Sequence, residues 1–229
     1  MKHPAIPLRW RRTLRRIRRP IRFGNLRRTS PISDHWGRDR GTPIDRWYIE
    51  RFLAVYAADI SGRVLEVRDP GYVQRFGHDL ARIDILDVDA ANVRATIVAD
   101  LATPESLPDS AFDAIVLTQV LQYVADVPAA VANLARALAP GGVLLISVPA
   151  IGRIGRSDVG VDLWRFTPAG LRRVVEEAFG VNVAVEAEGN VFAALAFLAG
   201  AAAEELSESE LVSRDECFPV VVLARAVRP

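Results

Sequence analysis

Short β-branched or apolar runs alternate along most of this chain with segments of helical periodicity. Seven such runs occur, among them residues 63–67 (RVLEV), 112–119 (FDAIVLTQ) and 142–149 (GVLLISVP). Amphipathic segments such as residues 127–139 and 167–179 lie between them. Continuous apolar strands are typical of a parallel sheet that is covered on both faces. The pattern therefore predicts an α/β fold with a doubly wound, mostly parallel seven-stranded sheet.

Length and charge distribution favour one such domain with a basic N-terminal extension. The chain has 229 residues, of which 50% are hydrophobic, and this suits one α/β domain rather than two. Residues 1–28 carry 11 Lys or Arg and no acid, although the net charge of the whole chain is only +1. We predict a basic arm at residues 1–30 and an α/β domain at residues 31–229.

The basic arm allows three interpretations. It lacks the apolar stretch of a secretory leader, so a cytoplasmic location is expected. The first interpretation is disorder, or docking on the acidic remainder of the chain. The second is peripheral contact with the inner face of a membrane, and the third, the least favoured, is nucleic-acid binding. In the membrane interpretation the apolar anchors are Leu8, Trp10, Leu14, Ile17 and Ile21.

Few residues are available for metal or hydrolytic chemistry. Cys217 is the only cysteine, and His3, His35 and His78 show no ligand spacing, so no metal site is expected. The chain also lacks a nucleophile elbow and a phosphate-binding loop of the Walker type. Hydrolases and nucleotide kinases are therefore disfavoured.

Acidic residues lie in, or directly after, three successive predicted strands. Glu66 ends the first strand, Asp84 lies in the second and Asp100 follows the third. Ligands of doubly wound sheets bind beyond the carboxyl ends of the strands, where a carboxylate can accept both hydroxyls of a ribose. The three acids together predict a nucleoside-binding site at that edge.

The motifs at these positions carry a resemblance to a known family. They are VLEV (64–67), VADL (98–101), FDAIVLTQVLQYVAD (112–126) and LARALAPGGVLLISVP (134–149). In these motifs the chain resembles the class I S-adenosylmethionine-dependent methyltransferases, in particular the methyltransferase type 11 group. Two further stretches, residues 37–53 and WRFT (164–167), look like a subgroup of bacterial methyltransferase-like proteins associated with glycan or secondary-metabolite synthesis. The resemblance covers about residues 31–228.

The resemblance implies a Rossmann-like fold and S-adenosyl-L-methionine as the cofactor. It implies that Glu66 lies behind the methionine end of the cofactor and that Asp84 binds the ribose, with Asp87 and Asp89 as alternatives. The remaining cofactor contacts implied are Asp100 and Leu101 at the adenine, and Gln119 and Val120 beneath the sulfonium.

The loop after the first strand departs from the family pattern. The family has glycines at alternate positions after the acid, which let the backbone approach the cofactor closely. This chain has Arg68, Pro70 and Tyr72 there, with Gly71 out of step. Arg68, Gly71 and Tyr72 are still expected to contact the cofactor. Arg68 either pairs with the methionine carboxylate or fills the space in which the cofactor would bind.

Methyl transfer from a sulfonium depends largely on holding the acceptor in line, and a hydroxyl acceptor also benefits from a base. The candidate bases are His78, Tyr123 and Asp162. Trp164 and Arg165, in the loop after the fifth strand, and Tyr48 are expected to contact the substrate.

Two functions are consistent with the sequence. The favoured one is an S-adenosylmethionine-dependent methyltransferase acting on a small-molecule, glycan or secondary-metabolite acceptor. The alternative is a catalytically inactive methyltransferase-like scaffold that docks to a membrane or an enzyme partner through its basic arm. The altered glycine loop is the feature that keeps this alternative open.

Overall fold

A computed structural model describes residue 17 and residues 24–229. The chain divides into two compact units, Met1–Pro31 and Ile32–Pro229. Within the first unit, Ile17 is exposed and Gly24–Leu26 form one 3-10 turn. The other anchors predicted for the arm, namely Leu8, Trp10, Leu14 and Ile21, lie outside the described residues.

The second unit is built on one seven-stranded sheet. Its strands have the spatial order β3-β2-β1-β4-β5-β7-β6. All neighbouring strands are parallel except for β7, which runs antiparallel to both β5 and β6. The predicted fold, a doubly wound and mostly parallel seven-stranded sheet, is confirmed. The strands are β1 (Gly62–Val67), β2 (Leu80–Asp87), β3 (Ile97–Val98), β4 (Phe112–Thr118), β5 (Leu138–Pro149), β6 (Val183–Glu188) and β7 (Val221–Val227).

Six α-helices cover the two faces of this sheet. They are α1 (Ile44–Val55), α2 (Gly71–Phe76), α3 (Val127–Ala137), α4 (Pro168–Phe179), α5 (Val191–Ala199) and α6 (Glu208–Val212). The apolar faces of α3 and α4 pack into one core, and those of α1, α2, α5 and α6 pack into a second core on the opposite face. This arrangement explains why β1, β4 and β5 are apolar without alternation, since both of their faces are buried.

Side-chain caps define the starts of four helices. Asp126 accepts a hydrogen bond from the N–H of Ala129 at the start of α3, and Thr167 accepts one from Gly170 at the start of α4. Asn190 caps α5, and Ser207 caps α6. None of the helices among the described residues has the length and apolarity that would let it cross a bilayer.

Candidate cofactor and active site

The carboxyl ends of the parallel strands meet at one edge of the sheet. At this edge β1 lies between β2 and β4, so the chain connections on its two sides run in opposite directions. Such a switch point leaves a crevice in which ligands of doubly wound sheets bind. The residues that follow Val67, Asp87, Val98 and Thr118 therefore form the candidate site.

Glu66 fastens the loop after β1 to the strand. Its side chain is only 3% exposed, and its two oxygens accept the backbone N–H groups of Tyr72 at 3.1 Å and Val73 at 2.8 Å. Burial raises the pKa of Glu66 to about 7, although the two backbone hydrogen bonds oppose this shift. The acid predicted behind the cofactor thus organises the start of α2.

This raised pKa predicts a specific pH dependence of stability. Because the unfolded state releases the Glu66 proton first, the contribution of Glu66 falls as the pH rises from 4.5 to about 7. The free energy of unfolding of wild type relative to Glu66→Gln is expected to drop by about 3 kcal/mol over this range in urea titrations. Glu177→Gln, at an exposed position of α4, is the control and is expected to run parallel to wild type. Parallel curves for Glu66→Gln would contradict the assignment.

Arg68 adopts the backbone conformation for which the family uses glycine. Its φ is +75°, in the left-handed region that costs a residue with a Cβ about 1 kcal/mol or more. Its N–H donates to the carbonyl of Leu86 at 2.8 Å and so extends the pairing of β1 with β2. Gly71, the glycine out of step, donates its N–H to Asp69 Oδ1 at 3.1 Å and has an ordinary negative φ. The loop therefore keeps the left-handed turn without the glycine.

Asp87, at the end of β2, lies beside this loop. Asn92 Nδ2 donates to Asp87 Oδ2 at 2.7 Å and to the carbonyl of Arg68 at 2.8 Å, which ties the two strand ends together. Burial alone would raise the pKa of Asp87. The hydrogen bonds from the Asp89 N–H and Asn92, together with the nearby charge of Arg68, hold it below its usual value instead. Sequence reasoning missed Asn92, and its position in the DVDAAN turn was the available signal.

Asp84 lies in the middle of β2 and points into an ion-pair cluster, which does not fit the ribose role expected for it. Its carboxylate is fully buried and lies 2.7 Å from Arg63 Nε, 2.7 Å from Arg82 Nη2 and 3.0 Å from Thr96 Oγ1. Burial alone would raise the pKa of Asp84, but the hydrogen bonds from Arg63 and Thr96 outweigh it, and the pKa is lowered. The carboxylate has no free side to offer a ribose.

The residues after β3 divide into an exposed acid and a core side chain. Asp100 is exposed, and its Oδ1 accepts the N–H of Ala102 at 2.9 Å. Leu101 is 4% exposed and packs in the core beside α3, so only its backbone is available to line an adenine site. Its carbonyl accepts a hydrogen bond from Asn133.

The turn after β4 forms the floor of the site. Gln119 has a φ of +55° and donates its N–H to the carbonyl of Ser147 at 2.8 Å, while Val120 packs partly against the core. Gln122, which sequence reasoning missed, is 5% exposed and donates its Nε2 to the Gln119 carbonyl at 3.0 Å. Gln119 Nε2 and Gln122 Oε1 are buried without a hydrogen-bond partner among the described residues. Polar atoms of this kind suit a ligand or ordered water.

The structure separates the three candidate bases. His78 lies between α2 and β2, with its N–H bonded to the Ile60 carbonyl, at the opposite edge of the sheet, so it is excluded as a base at this site. Tyr123 lies at the site, but burial and the charges of Asp158 and Asp162 raise its pKa, which disfavours its ionised form. Asp162 is also at this edge and is paired with Arg165.

Two of the three expected substrate residues lie near the candidate site. Trp164 is partly exposed and donates its Nε1 to the Val124 carbonyl at 2.8 Å. Arg165 Nη2 lies 2.9 Å from Asp162 Oδ2, so its charge is already paired. Tyr48 is the exception, because it lies on the buried face of α1 with its hydroxyl bonded to the Leu211 carbonyl at 2.9 Å. The structure therefore gives Tyr48 no route to a substrate.

Arg46 is a further cation at this edge that sequence reasoning missed. It projects from the first turn of α1, with Nη1 3.5 Å from Tyr72 Oη and Nε 3.9 Å from Asp45 Oδ2. Tyr123 is also close enough to influence the pKa of Arg46. The guanidinium therefore lies beside the hydroxyl of Tyr72, a residue of the segment that Glu66 holds.

The strand order and the site at the switch point define the class of protein as a class I methyltransferase fold. The family description "Methyltransferase domain" matches residues 41–146. This match agrees with the resemblance over that part of the chain, and the fold is that of the class I methyltransferases. No curated protein sequence matches the chain.

Solved structures share the fold at low sequence identity. An S-adenosylmethionine-dependent methyltransferase from Mesorhizobium loti is 19% identical, with a TM-score of 0.55 over 80% of this chain and 98% of its own. The N-methyltransferase NodS from Bradyrhizobium japonicum, solved with S-adenosyl-l-homocysteine, is 18% identical, with a TM-score of 0.51 over 84% and 91%. The [4+2]-cyclase SpnF is 16% identical, with a TM-score of 0.53 over 83% and 84%. Because a cyclase shares the fold, the fold by itself does not establish methyl transfer.

Proposed function

We propose that this chain is an S-adenosylmethionine-dependent methyltransferase whose acceptor is a small molecule, a glycan or a secondary metabolite. The observation that carries the proposal is the switch-point edge, where Glu66, Asp87 and Gln119 follow or end β1, β2 and β4. The NodS structure supports the choice of cofactor, since that relative was solved with S-adenosyl-l-homocysteine.

The residues at this edge fit such a cofactor. Asp87, the acid that ends β2, is the proposed partner of the ribose hydroxyls in place of Asp84. Arg46 is the proposed partner of the cofactor carboxylate, since its guanidinium lies beside the side chains of Tyr72 and Tyr123 at this edge. Asp100 and the backbone of Leu101 are the proposed adenine contacts, with Gln119 and Val120 beneath the reacting atoms.

The loop after β1 is compatible with cofactor binding despite its lost glycines. Arg68 itself adopts the left-handed backbone conformation that a glycine would otherwise adopt. Its side chain is exposed and lies near Asp87. We propose that Arg68 neither pairs with the carboxylate nor fills the binding space. The bulk of Pro70 and Tyr72 is the one feature that favours the inactive scaffold.

The cofactor, when bound, supplies a methyl group that is already activated as a sulfonium. The chain then has to hold the acceptor in line and exclude water, which positioning alone can accelerate strongly. No free base lies among the candidates, because Asp162 is paired and the pKa of Tyr123 is raised. We therefore assign the main catalytic contribution to positioning by the floor residues and by the loop that carries Trp164.

Calorimetry with S-adenosylhomocysteine tests this function. Wild type is expected to bind, and Arg68→Gly is expected to bind at least as tightly, because glycine accepts the same φ without a Cβ. Absence of binding by wild type at about 1 mM ligand, a concentration that detects even weak sites, would remove the proposal and favour the scaffold. A tenfold or larger loss in Arg68→Gly would instead show that Arg68 contacts the ligand.

A further inference from the structure

The loop after β5, residues 151–165, exposes an unusual number of large apolar side chains. We call it the rim loop. Five of them are between 45% and 74% exposed within eleven residues, namely Ile154, Val159, Val161, Leu163 and Trp164. Single exposed apolar residues are normal on protein surfaces, but a concentration of this kind marks an interaction site.

The rim loop is fastened beside the candidate site. The N–H of Leu163 donates to the carbonyl of Gln122 at 2.7 Å, and Trp164 Nε1 donates to the carbonyl of Val124. Tyr123 Oη lies 3.3 Å from Asp158 Oδ2. These bonds hold the rim loop against the turn that follows β4, beside the candidate site.

The charges of the rim loop favour an anionic surface. The rim loop carries Arg153, Arg156 and Arg165 against Asp158 and Asp162, so it has an excess of one positive charge. The side chain of Arg156 is 83% exposed even though it reaches Asp34 at 3.0 Å. The sequence of residues 1–28 adds 11 basic residues and no acid. Apolar side chains with a tryptophan, combined with basic residues, are the pattern by which peripheral proteins engage anionic lipid.

We propose that the rim loop docks on an anionic lipid surface and that the methyl acceptor is an amphiphile presented there. The part of the inference that concerns the methyl acceptor rests on the proposed function. Docking itself does not depend on cofactor binding. Neither the apolar side chains nor the basic sequence is a strong anchor alone, and stable membrane association generally needs two such signals. The site mouth would then open toward the lipid, where the polar part of an amphiphile is accessible.

Vesicle co-sedimentation of the full chain tests the proposal with a matched pair of variants. The test variant is Val159→Glu with Val161→Glu in the rim loop. The control is Val55→Glu with Val181→Glu, at positions that are at least as exposed but precede β1 and β6 at the opposite edge of the sheet. The two variants carry the same change in charge, and none of the four positions is buried, so both are expected to fold.

Wild type is expected to sediment with vesicles that contain about 30 mol% phosphatidylserine and to bind phosphatidylcholine vesicles more weakly. The rim-loop variant is expected to lose about tenfold in partition coefficient, and the control less than about threefold. Equal binding by the two variants, or no binding by wild type, would overturn the proposal. Both variants are expected to bind S-adenosylhomocysteine as wild type does, so failure of docking and failure of the proposed function give different results.

Discussion

Replacing Asp87 with Asn is expected to weaken the binding of S-adenosylhomocysteine by about tenfold or more. Asn keeps the size of the side chain but removes the negative charge, and loss of a charge-assisted hydrogen bond costs roughly 1.5 to 3 kcal/mol. Asp87 ends β2 at the switch point, where a carboxylate faces the crevice. Calorimetry on folded protein measures the effect directly.

Two other acids of the same region serve as controls for this experiment. Asp89→Asn changes a neighbouring exposed acid, and Asp84→Asn changes the buried acid of the same strand. Both are expected to leave the dissociation constant within about threefold of wild type. A tenfold loss in Asp89→Asn together with none in Asp87→Asn would move the ribose role to Asp89, which also follows β2.

Replacing Asp84 with Ala is expected to lower the free energy of unfolding by about 3 kcal/mol. Removing one partner of a buried ion pair leaves the other charges uncompensated, which typically costs about 3 to 5 kcal/mol. The lower end applies because the side chains of Arg63 and Arg82 are 33% and 59% exposed and can be rehydrated. Urea denaturation provides the measurement, and Asp89→Ala, which removes an exposed acid, is expected to cost far less.

The pH dependence of the Asp84 contribution has a definite sign. Its folded pKa is lowered, so the stabilisation is present above the unfolded pKa and is lost as the pH falls through the folded pKa. Wild type and Asp84→Ala should therefore converge in stability toward acidic pH. A small change in the stability of Asp84→Ala combined with a tenfold loss of cofactor affinity would contradict the structural role. It would instead support binding of the cofactor ribose by Asp84.

Much of the fold was accessible from the sequence because its signals are local. The apolar runs of β1, β4 and β5 indicated strands buried on both faces, and the structure buries them between two helical layers. The start of α1 was not accessible in this way. Thr42 directly precedes Pro43, a pattern typical of a helix start, but the Thr42 hydroxyl bonds Glu204, and Pro43 occupies the cap position without a side-chain bond. That partner is 162 residues away in the chain, and no local pattern reports it.

The site residues also divide into those that local sequence signals located and those whose roles depend on contacts between distant residues. The sequence alone placed Glu66, Asp100 and Gln119 at strand ends, because strand ends follow from composition and turn signals. Only the tertiary structure decided that His78 lies at the far edge of the sheet and that the hydroxyl of Tyr48 donates a hydrogen bond to the carbonyl of Leu211. These outcomes depend on chain direction and on contacts between residues distant in sequence.

The sequence by itself determined the fold class, the edge that carries the site and the departure from the glycine pattern in the loop after β1. The tertiary structure decided how that departure is accommodated, through the left-handed backbone of Arg68 and the bridge from Asn92 to Asp87. It also decided which acid of β2 lies at the crevice. Asp84 and Asp87 are both acids of one strand, but Arg63 and Arg82 converge on the first, while the second ends the strand at the crevice. The physical reason is that hydrophobic periodicity is a local property of the sequence, whereas ion pairing and access to a crevice depend on which strands become neighbours in the folded chain.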